Sequence, residues 1–429
     1  MQPVKINIEG NYFDCQIYSG RLYLWTFDGD LKVIDWNALV NYLIKNQRDK
    51  IVMNFCFLDG NYLYKSSLIE LFKDKDFRKL LLKKFAGIEK KNFKIPEKLL
   101  QKFTLGVQTT PMNIIPTDTE IYSNNLYFIN EKGFYSASAN RAKSEKYLVS
   151  SRPKKLWDCN LFSIKANKYP QIALSGGDEG LFEYNISNSK PENLKTVERN
   201  IFRISESHSS FSNYTYLNVF NTSLVDKSYL AMFKWDNGEK KENLSPLQQM
   251  YSSRNKNFNR NFDHFISTDT IFQLDLKKNY LSWGIDDKIN LITDNKFEII
   301  KCNYFADPEK GQNIFNKIYS NEVEISGDLV NSGSCYFGNI IETTTGLFIL
   351  LSNGQKYCIN EEITRWRIYP RSKNYENHLH VILDDRIEIY SFNQDYFLEN
   401  ENEKVFGIEF KEPKSYFENS YFENIWDFN

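Results

Sequence analysis

The stretch Leu22-Tyr-Leu-Trp-Thr-Phe-Asp-Gly-Asp-Leu-Lys-Val-Ile-Asp-Trp36 carries two runs of alternating side chains around a tight Asp-Gly-Asp turn. Alternation with a period of two gives a strand one buried and one exposed face. Asp, Asn and Gly supply the positive φ angles that tight hairpins need. The stretch therefore predicts a β-hairpin.

The same pattern recurs along the whole chain. Clear copies occupy residues 172–184, 280–292, 347–359 and 379–390. Weaker relatives surround Asp59-Gly60, Glu131-Lys132-Gly133 and Asp236-Asn237-Gly238. Hairpins repeated at intervals of several tens of residues favour four-stranded blades stacked around an axis, since each blade alone would leave apolar faces wet. A β-sandwich is the alternative, but it needs fewer strands than eight hairpins supply.

One copy of the hairpin carries a family resemblance. Its residues Ala173-Leu-Ser-Gly-Gly-Asp-Glu-Gly-Leu-Phe182 resemble the "SG-x-D-G" turn that joins the middle strands of a WD40 blade. The Gly-His and Trp-Asp signatures of WD40 repeats are missing, and Asp35-Trp36 has the second pair reversed. The resemblance implies an all-β fold, a WD40-like β-propeller of six or seven blades.

Composition bounds the class of protein. Apolar residues make up 41% and aromatic residues 16% of the 429 residues, enough for a large core. The net charge of -1 argues against electrostatic attraction of the whole protein to nucleic acid or acidic lipid. It leaves open binding through local patches of positive charge. The start of the chain lacks the charged head and apolar run of a secretory signal, and no apolar run is long enough to span a membrane, so a cytoplasmic protein is expected.

A helical insertion is predicted between about residues 62 and 105. Apolar residues there recur every three or four positions, and Pro96 separates a second short helix at 97–103. Between 73 and 94, nine basic and three acidic residues give a net charge of +6. The patch is interpreted either as a solvated helix face or as a surface for phosphates or an acidic partner. Its candidate partner-binding residues are Lys79, Lys83 and Lys84.

Two further segments stand out. The polar stretch 237–261 reads as a long loop between blades. The C-terminus repeats Ser-Tyr-Phe-Glu-Asn at 415–419 and 420–424, and residues 394–429 carry nine acidic and three basic residues, a net charge of -6. Exposed aromatic residues favour docking, so this tail either closes a blade beside the strand at 5–8 or anchors a partner. The candidate anchors are Tyr416, Phe417, Tyr421, Phe422 and Trp426. The expected organisation is blades at 1–61, the basic insertion at 62–105, blades at 106–402 and the tail at 403–429.

No sequence motif for chemistry is visible. The chain has no P-loop, no dinucleotide fingerprint, no HExxH and no nucleophile elbow. His378 and His380 share one predicted strand face, but no further metal ligand is aligned with them. Cys335 lacks a nearby histidine base, Asp28-Gly29-Asp30 reads as a hairpin turn, and the six scattered cysteines read as buried structural thiols. We expect no catalytic residue, metal or cofactor.

These observations favour a non-catalytic scaffold or accessory subunit with a protein partner and no membrane contact. The chain also resembles the bacterial propeller proteins found beside RNA-guided nucleases in CRISPR loci. That resemblance implies a role in antiviral defence, in which the protein binds a Cas9-type nuclease, pairs two copies and helps them hold DNA. Direct contact with nucleic acid would then run through residues 73–94. A propeller enzyme whose active site converges in a central channel is the alternative.

Overall fold

A computed structural model describes most of the chain, and β-strands dominate it. The described ranges are 2–58, 74–109, 116–139, 149, 152–166, 171–177, 179–185, 194–196, 216–222, 228–235, 260–273, 280–285, 288–303, 308–335, 337–351, 354–372 and 374–392. The chain divides into two compact units: Met1–Thr110 with Lys146–Leu148 and Val330–Asn429, and Pro111–Glu145 with Val149–Leu329. Within these ranges no helix has the length and apolar character needed to cross a membrane.

The described residues of the first unit form three sheets. The first has the order β2-β3-β4-β6 and is formed by β2 (Tyr12–Tyr18), β3 (Arg21–Thr26), β4 (Asp30–Asp35) and β6 (Thr104–Thr109). The second follows chain order in β22 (Leu329–Cys335), β23 (Gly338–Thr343), β24 (Gly346–Leu351) and β25 (Lys356–Ile359). The third has the order β26-β27-β28-β1-β5, from β26 (Arg365–Ile368), β27 (His378–Ile382), β28 (Arg386–Ser391), β1 (Val4–Glu9) and β5 (Phe93–Ile95).

In the second unit, the part of the chain that the structure describes forms four sheets. One is formed by β7 (Asp118–Tyr122), β8 (Asn125–Asn130), β9 (Gly133–Ser138) and β10 (Lys154–Trp157), and the next by β11 (Ser163–Ala166), β12 (Gln171–Ser175), β13 (Leu181–Asn185) and β14 (Leu194–Thr196). The remaining two contain β15 (Tyr216–Thr222), β16 (Ser228–Trp235) and β17 (Arg260–Ser267), and then β18 (Tyr280–Ile285), β19 (Lys288–Thr293), β20 (Lys296–Cys302) and β21 (Phe315–Glu322). In every sheet of this unit, strands adjacent in the chain are hydrogen-bonded neighbours.

The predicted hairpins that fall within the described residues are confirmed, whereas the turn at Asp236-Asn237-Gly238 lies outside them. In the opening stretch, Leu22 pairs with Ile34 and Trp25 with Leu31, and Gly29 occupies the turn with a φ of +85°. The copies at 172–184, 280–292, 347–359 and 379–390 are the antiparallel pairs β12–β13, β18–β19, β24–β25 and β27–β28. The weaker copy at Glu131-Lys132-Gly133 joins β8 to β9. Most of the stretch 237–261 and the pair Asp59-Gly60 lie outside the described residues.

The predicted fold class is confirmed. The described sheets are mostly four-stranded and antiparallel, and their strands largely follow chain order, which is the strand pattern of β-propeller blades. The WD40-like turn is a closed loop, because the Gly176 amide donates to the Gly180 carbonyl at 2.8 Å and Gly180 adopts a φ of +93°.

Helices lie between the third and fourth strands of the first sheet. They are α1 (Trp36–Leu43), α2 (Lys50–Phe57), α3 (Lys75–Glu89) and α4 (Glu97–Gln101). A further helix, α5 (Thr268–Phe272), belongs to the second unit. Helix therefore begins at Trp36, well before residue 62. The reason is visible in the buried residues Trp36, Leu39 and Val40, whose spacing of three and one makes a helical apolar face. The side chain of Asp35 caps α1 by accepting from the Ala38 amide at 2.9 Å.

The N-terminal strand completes the last sheet of the first unit. Strand β1 pairs with β28 along its whole length, from Val4 opposite Ser391 to Glu9 opposite Arg386. Its other edge pairs in parallel with β5, where Ile6 lies opposite Phe93. Because β1 has a strand on both edges, the tail beyond Phe392 has no vacant edge beside β1 at those residues. The tail itself lies outside the described residues.

Candidate interaction surface

Helix α3 is anchored firmly through one face. The Asp74 side chain caps its start by accepting from the Asp76 and Phe77 amides, both at 2.8 Å. Leu81, Phe85 and Ile88 recur on one side and are almost fully buried in a cluster shared with β1 and α2. Burial of each such side chain contributes roughly 1.5–3 kcal/mol. The core therefore fixes which face of α3 meets solvent.

The opposite face presents three lysines that form no ion pair with the described part of the chain. Lys79 and Lys83 are exposed, Lys84 is half-buried, and none of the three forms an ion pair with a described residue. Leu80 lies among them with 53% of its surface exposed. Like charges four residues apart, as at Lys79 and Lys83, destabilise a helix by roughly 0.2–0.5 kcal/mol. The repulsion between these lysines therefore lowers the stability of the isolated helix.

The positive charge extends beyond α3. Lys90 and Lys94 are exposed. The Lys91 ammonium lies 2.5 Å from the Asp49 carboxylate, and this ion pair joins the end of α3 to the start of α2. Asp49 is flanked in the sequence by Arg48 and Lys50. From 45 to 102 the sequence has fifteen basic and seven acidic residues, so this segment carries +8 and the remainder of the chain -9. We define the basic face as the exposed residues Lys79, Leu80, Lys83, Lys90 and Lys94 together with the half-buried Lys84.

Helix electrostatics explain only part of the basic face. Cations near a helix C-terminus are favoured by the backbone dipole, which accounts for Lys90 and Lys91. Lys79, Lys83 and Lys84 lie in the middle turns, where that effect has faded. The structure therefore brings together the three lysines singled out in the sequence. The other predicted anchors, Tyr416, Phe417, Tyr421, Phe422 and Trp426, lie outside the described residues.

A buried chain of polar side chains forms the second notable cluster of the first unit. His380 Nδ1 lies 3.5 Å from the Cys15 sulfur and 3.1 Å from the Tyr369 hydroxyl. His380 Nε2 is 3.4 Å from His378 Nδ1, and His378 Nε2 is 2.7 Å from the Cys56 carbonyl. The two histidines do share one strand face of β27, as predicted. This chain ties β27 to β2 and α2.

An ion pair lies beside the histidines. Asp14 is fully buried in β2, and Arg367 donates to its two carboxylate oxygens at 2.8 and 2.7 Å. The Cys15 amide adds a third hydrogen bond at 2.8 Å, and Arg365 lies 3.5 Å away. A buried carboxylate is tolerated when it is paired and hydrogen-bonded in this way. The cluster joins residues more than 350 positions apart.

The protonation states of this cluster are those of a structural core. Burial lowers the pKa of His378 to about 4 and that of His380 well below its usual range, so both are neutral near pH 7. Burial, reinforced by the Asp14 charge, raises the pKa of the Cys15 thiol. A reactive cysteine needs a lowered pKa and access to solvent, and Cys15 has neither. Among the described residues no cluster of His, Cys, Asp or Glu could hold a metal ion.

Most of the other cysteines are buried, as predicted for structural thiols, and one is not. Cys335 is buried and its thiol donates to the Glu376 carbonyl at 2.7 Å, which agrees with a structural role. Cys56 and Cys302 are buried as expected and Cys159 partly so. Cys358, however, is exposed, because residues near the edge strand β25 alternate between covered and solvent-facing positions. The prediction of burial was wrong for that residue.

No family model matches the sequence, and no curated protein matches it. Solved structures do show similar backbones. BamB from Moraxella catarrhalis is 10% identical with a TM-score of 0.40, covering 90% of this chain and 81% of its own. BBS1N in complex with ARL6DN is 8% identical with a TM-score of 0.41, covering 91% and 98%. A chain of the COPII outer coat vertex on membranes is 10% identical with a TM-score of 0.41, covering 63% and 67%. These likenesses assign no role to any side chain.

Proposed function

We propose that this protein is a non-catalytic scaffold whose basic face binds an acidic surface of a partner protein. The observation that carries the proposal is the set of lysines on α3 that form no ion pair with a described residue. They repel one another, no described carboxylate neutralises them, and the opposite side of the helix is held by Leu81, Phe85 and Ile88. A rigid helix with an unneutralised charged face is suited to electrostatic recognition.

The exposed leucine favours a protein as the partner. Leu80 gives the basic face an apolar centre surrounded by lysines, which is the arrangement of a protein interface with an apolar core and a polar rim. The phosphate backbone of a nucleic acid offers no apolar surface for Leu80 to contact. Association with a CRISPR nuclease is a narrower form of the same proposal, in which the bound complex also contains nucleic acid.

Charge reversal tests the proposal. Lys79→Glu, Lys83→Glu and Lys84→Glu are combined in one variant, and Lys132→Glu, Lys154→Glu and Lys165→Glu in a matched control. The control lysines are also exposed and form no ion pair with a described residue, and their reversal changes net charge equally. Both variants are purified from the native cell beside the wild type, and bound proteins are quantified by mass spectrometry.

The expected result is loss of one or more acidic partners at least tenfold from the α3 variant and retention by the control. The proposal fails if both variants retain the same proteins as the wild type. Nucleic acid is distinguished by measuring affinity for duplex DNA against salt. If the lysines contact phosphates, the slope of log K against log salt falls by roughly 3 in the α3 variant.

A further inference from the structure

We propose that the acidic C-terminal tail, residues 394–429, binds the basic face of its own chain and covers it until an acidic partner displaces it. This inference rests on the proposed function in that the tail and the partner share one surface. Its first support is charge. The tail carries nine acidic and three basic residues, whereas residues 45–102 carry a net +8 in a protein of net charge -1. Opposite charges concentrated in two segments attract each other before any outside partner is present.

The second support is where the tail begins. Strand β28 ends at Ser391, opposite Val4 of β1. On the far edge of β1, β5 runs parallel to it, with Phe93 opposite Ile6. Ser391 and Phe93 therefore lie on opposite sides of β1, about two strand spacings, roughly 10 Å, apart across the sheet. Helix α3 ends four residues before Phe93, so the tail starts near the end of the basic face that Lys90 and Lys94 form.

The third support is reach. The 37 residues after Phe392 span up to roughly 120 Å when extended, and α3, with 15 residues, is about 22 Å long. Covalent attachment of the tail to the same chain raises its effective concentration at the basic face. Even weak ion pairs, each worth roughly 0.2–1 kcal/mol at a surface, then suffice to occupy the basic face.

The fourth support is chemical fit at Leu80. The tail interleaves its acidic residues with aromatic residues in the doubled Ser-Tyr-Phe-Glu-Asn unit and at Trp426. Leu80 offers the apolar contact that an aromatic ring takes, and the flanking Lys79, Lys83 and Lys84 suit the neighbouring glutamates. Lysine ammoniums also bind favourably over aromatic faces.

Carbodiimide cross-linking of the intact protein tests the contact directly, because the reagent joins an amine and a carboxylate that already form an ion pair. Monomeric product is digested and mapped by mass spectrometry. We expect cross-links from tail acids to Lys79, Lys83 or Lys84, and none to Lys132, Lys154 or Lys165. Cross-links from the tail to the control lysines alone would overturn the proposal, as would tail cross-links found only in dimers.

A reciprocal charge swap provides the second measurement. A full-length variant with Glu409→Gln, Glu412→Gln, Glu418→Gln and Glu423→Gln should expose the basic face. It should then bind a fluorescent peptide of residues 403–429 at least tenfold more tightly than the wild type does, by anisotropy in low salt. Adding Lys79→Glu, Lys83→Glu and Lys84→Glu should abolish that gain, and a peptide with lysine at the four glutamate positions should restore it. Equal peptide binding by the wild type and the Gln variant would refute cis docking.

The two proposals fail separately. If the peptide does not bind but the α3 variant still loses its acidic partner, the tail inference is wrong and the scaffold proposal stands. If the peptide binds as expected but native partners are unaffected by the α3 variant, the tail is a ligand of the basic face and the scaffold proposal is wrong.

Discussion

His378 and His380 show how single residues couple this fold to pH. Both are buried and neutral, and each has a pKa below the value of about 6.5 found in unfolded chains. Above pH 6.5 neither state binds a proton, so stability is unaffected. Below it the unfolded chain takes up protons that the folded chain refuses, and stability falls by about 1.4 kcal/mol per histidine per pH unit until the folded pKa is reached, at about 4 for His378.

We expect urea midpoints to fall between pH 7.5 and 5.5, and His378→Gln to remove about half of that fall. Glutamine can still donate to the Cys56 carbonyl, so the variant should keep its fold at pH 7.5. Carboxylates titrate mostly below this range, which isolates the histidine effect. An unchanged pH dependence in the variant would show that His378 is protonated or solvated in the folded protein.

Gly180 supports a second prediction at the same scale. Its φ of +93° is reached cheaply by glycine alone, so Gly180→Val should lower the melting temperature by several degrees. Gly87 provides the contrast, because it lies on the exposed side of α3 with no atom within 4 Å of an added Cβ. Gly87→Ala should therefore raise stability by about 0.5–1 kcal/mol. Equal effects of the two substitutions would remove the case for a strained turn at Gly180.

At the scale of elements, the pairing of β1 with β28 depends on one buried carboxylate. Glu388 accepts from Lys5 at 3.0 Å, from Arg386 at 3.0 Å and from the Tyr390 hydroxyl. Burial acts to raise the pKa of Glu388, but these hydrogen bonds outweigh it and the pKa is lowered. Its stabilising contribution is therefore present above the unfolded pKa of about 4.3 and is lost as pH falls below it.

Glu388→Gln should destabilise the protein by about 2 kcal/mol in chemical denaturation near pH 7, since hydrogen bonds to a buried charge are lost. Lys32→Met is the control, because it breaks a surface ion pair with Glu97 at 3.4 Å and a contact of the Lys32 ammonium over the Tyr12 ring, and it should cost less than about 1 kcal/mol. Similar losses of unfolding free energy for both variants would mean that Glu388 does not stabilise the pairing of β1 with β28 more than a surface ion pair does.

Elements also show what the sequence can and cannot reveal. Hairpins such as β3–β4 are encoded within fifteen residues, so alternation and an Asp-Gly turn suffice to predict them. The completion of sheets by β1 and β6 depends on partners far away in the chain, and nothing near Val4 indicates β28. Likewise the three lysines of α3 follow from local periodicity. The contact of Asp14 with Arg367 spans 353 positions, and its one local sign is a carboxylate in an otherwise largely apolar strand.

For the whole molecule, the last prediction concerns what the tail contributes to folding. The described strands of the sheet of β26, β27, β28, β1 and β5 end at Ser391, and β1 is paired on both edges from Ile6 to Ile8. We therefore expect a chain ending at Phe392 to keep the β-dominated circular dichroism spectrum and to melt within about 2 °C of the intact protein. A chain ending at Thr364 lacks β26, β27 and β28, so Asp14 loses Arg367 and β1 loses its long pairing, and it should fail to fold.

The comparison discriminates between the two roles of the tail. If truncation after Phe392 lowers the melting temperature by as much as Glu388→Gln does, the tail completes a sheet and its part in binding is secondary. If stability is kept while an added tail peptide binds the shortened chain more tightly than the intact one, the tail acts on the surface of a finished fold. We expect the second outcome, because β28 pairs with β1 from Val4 to Glu9 and β5 already occupies the other edge of β1 from Ile6 to Ile8.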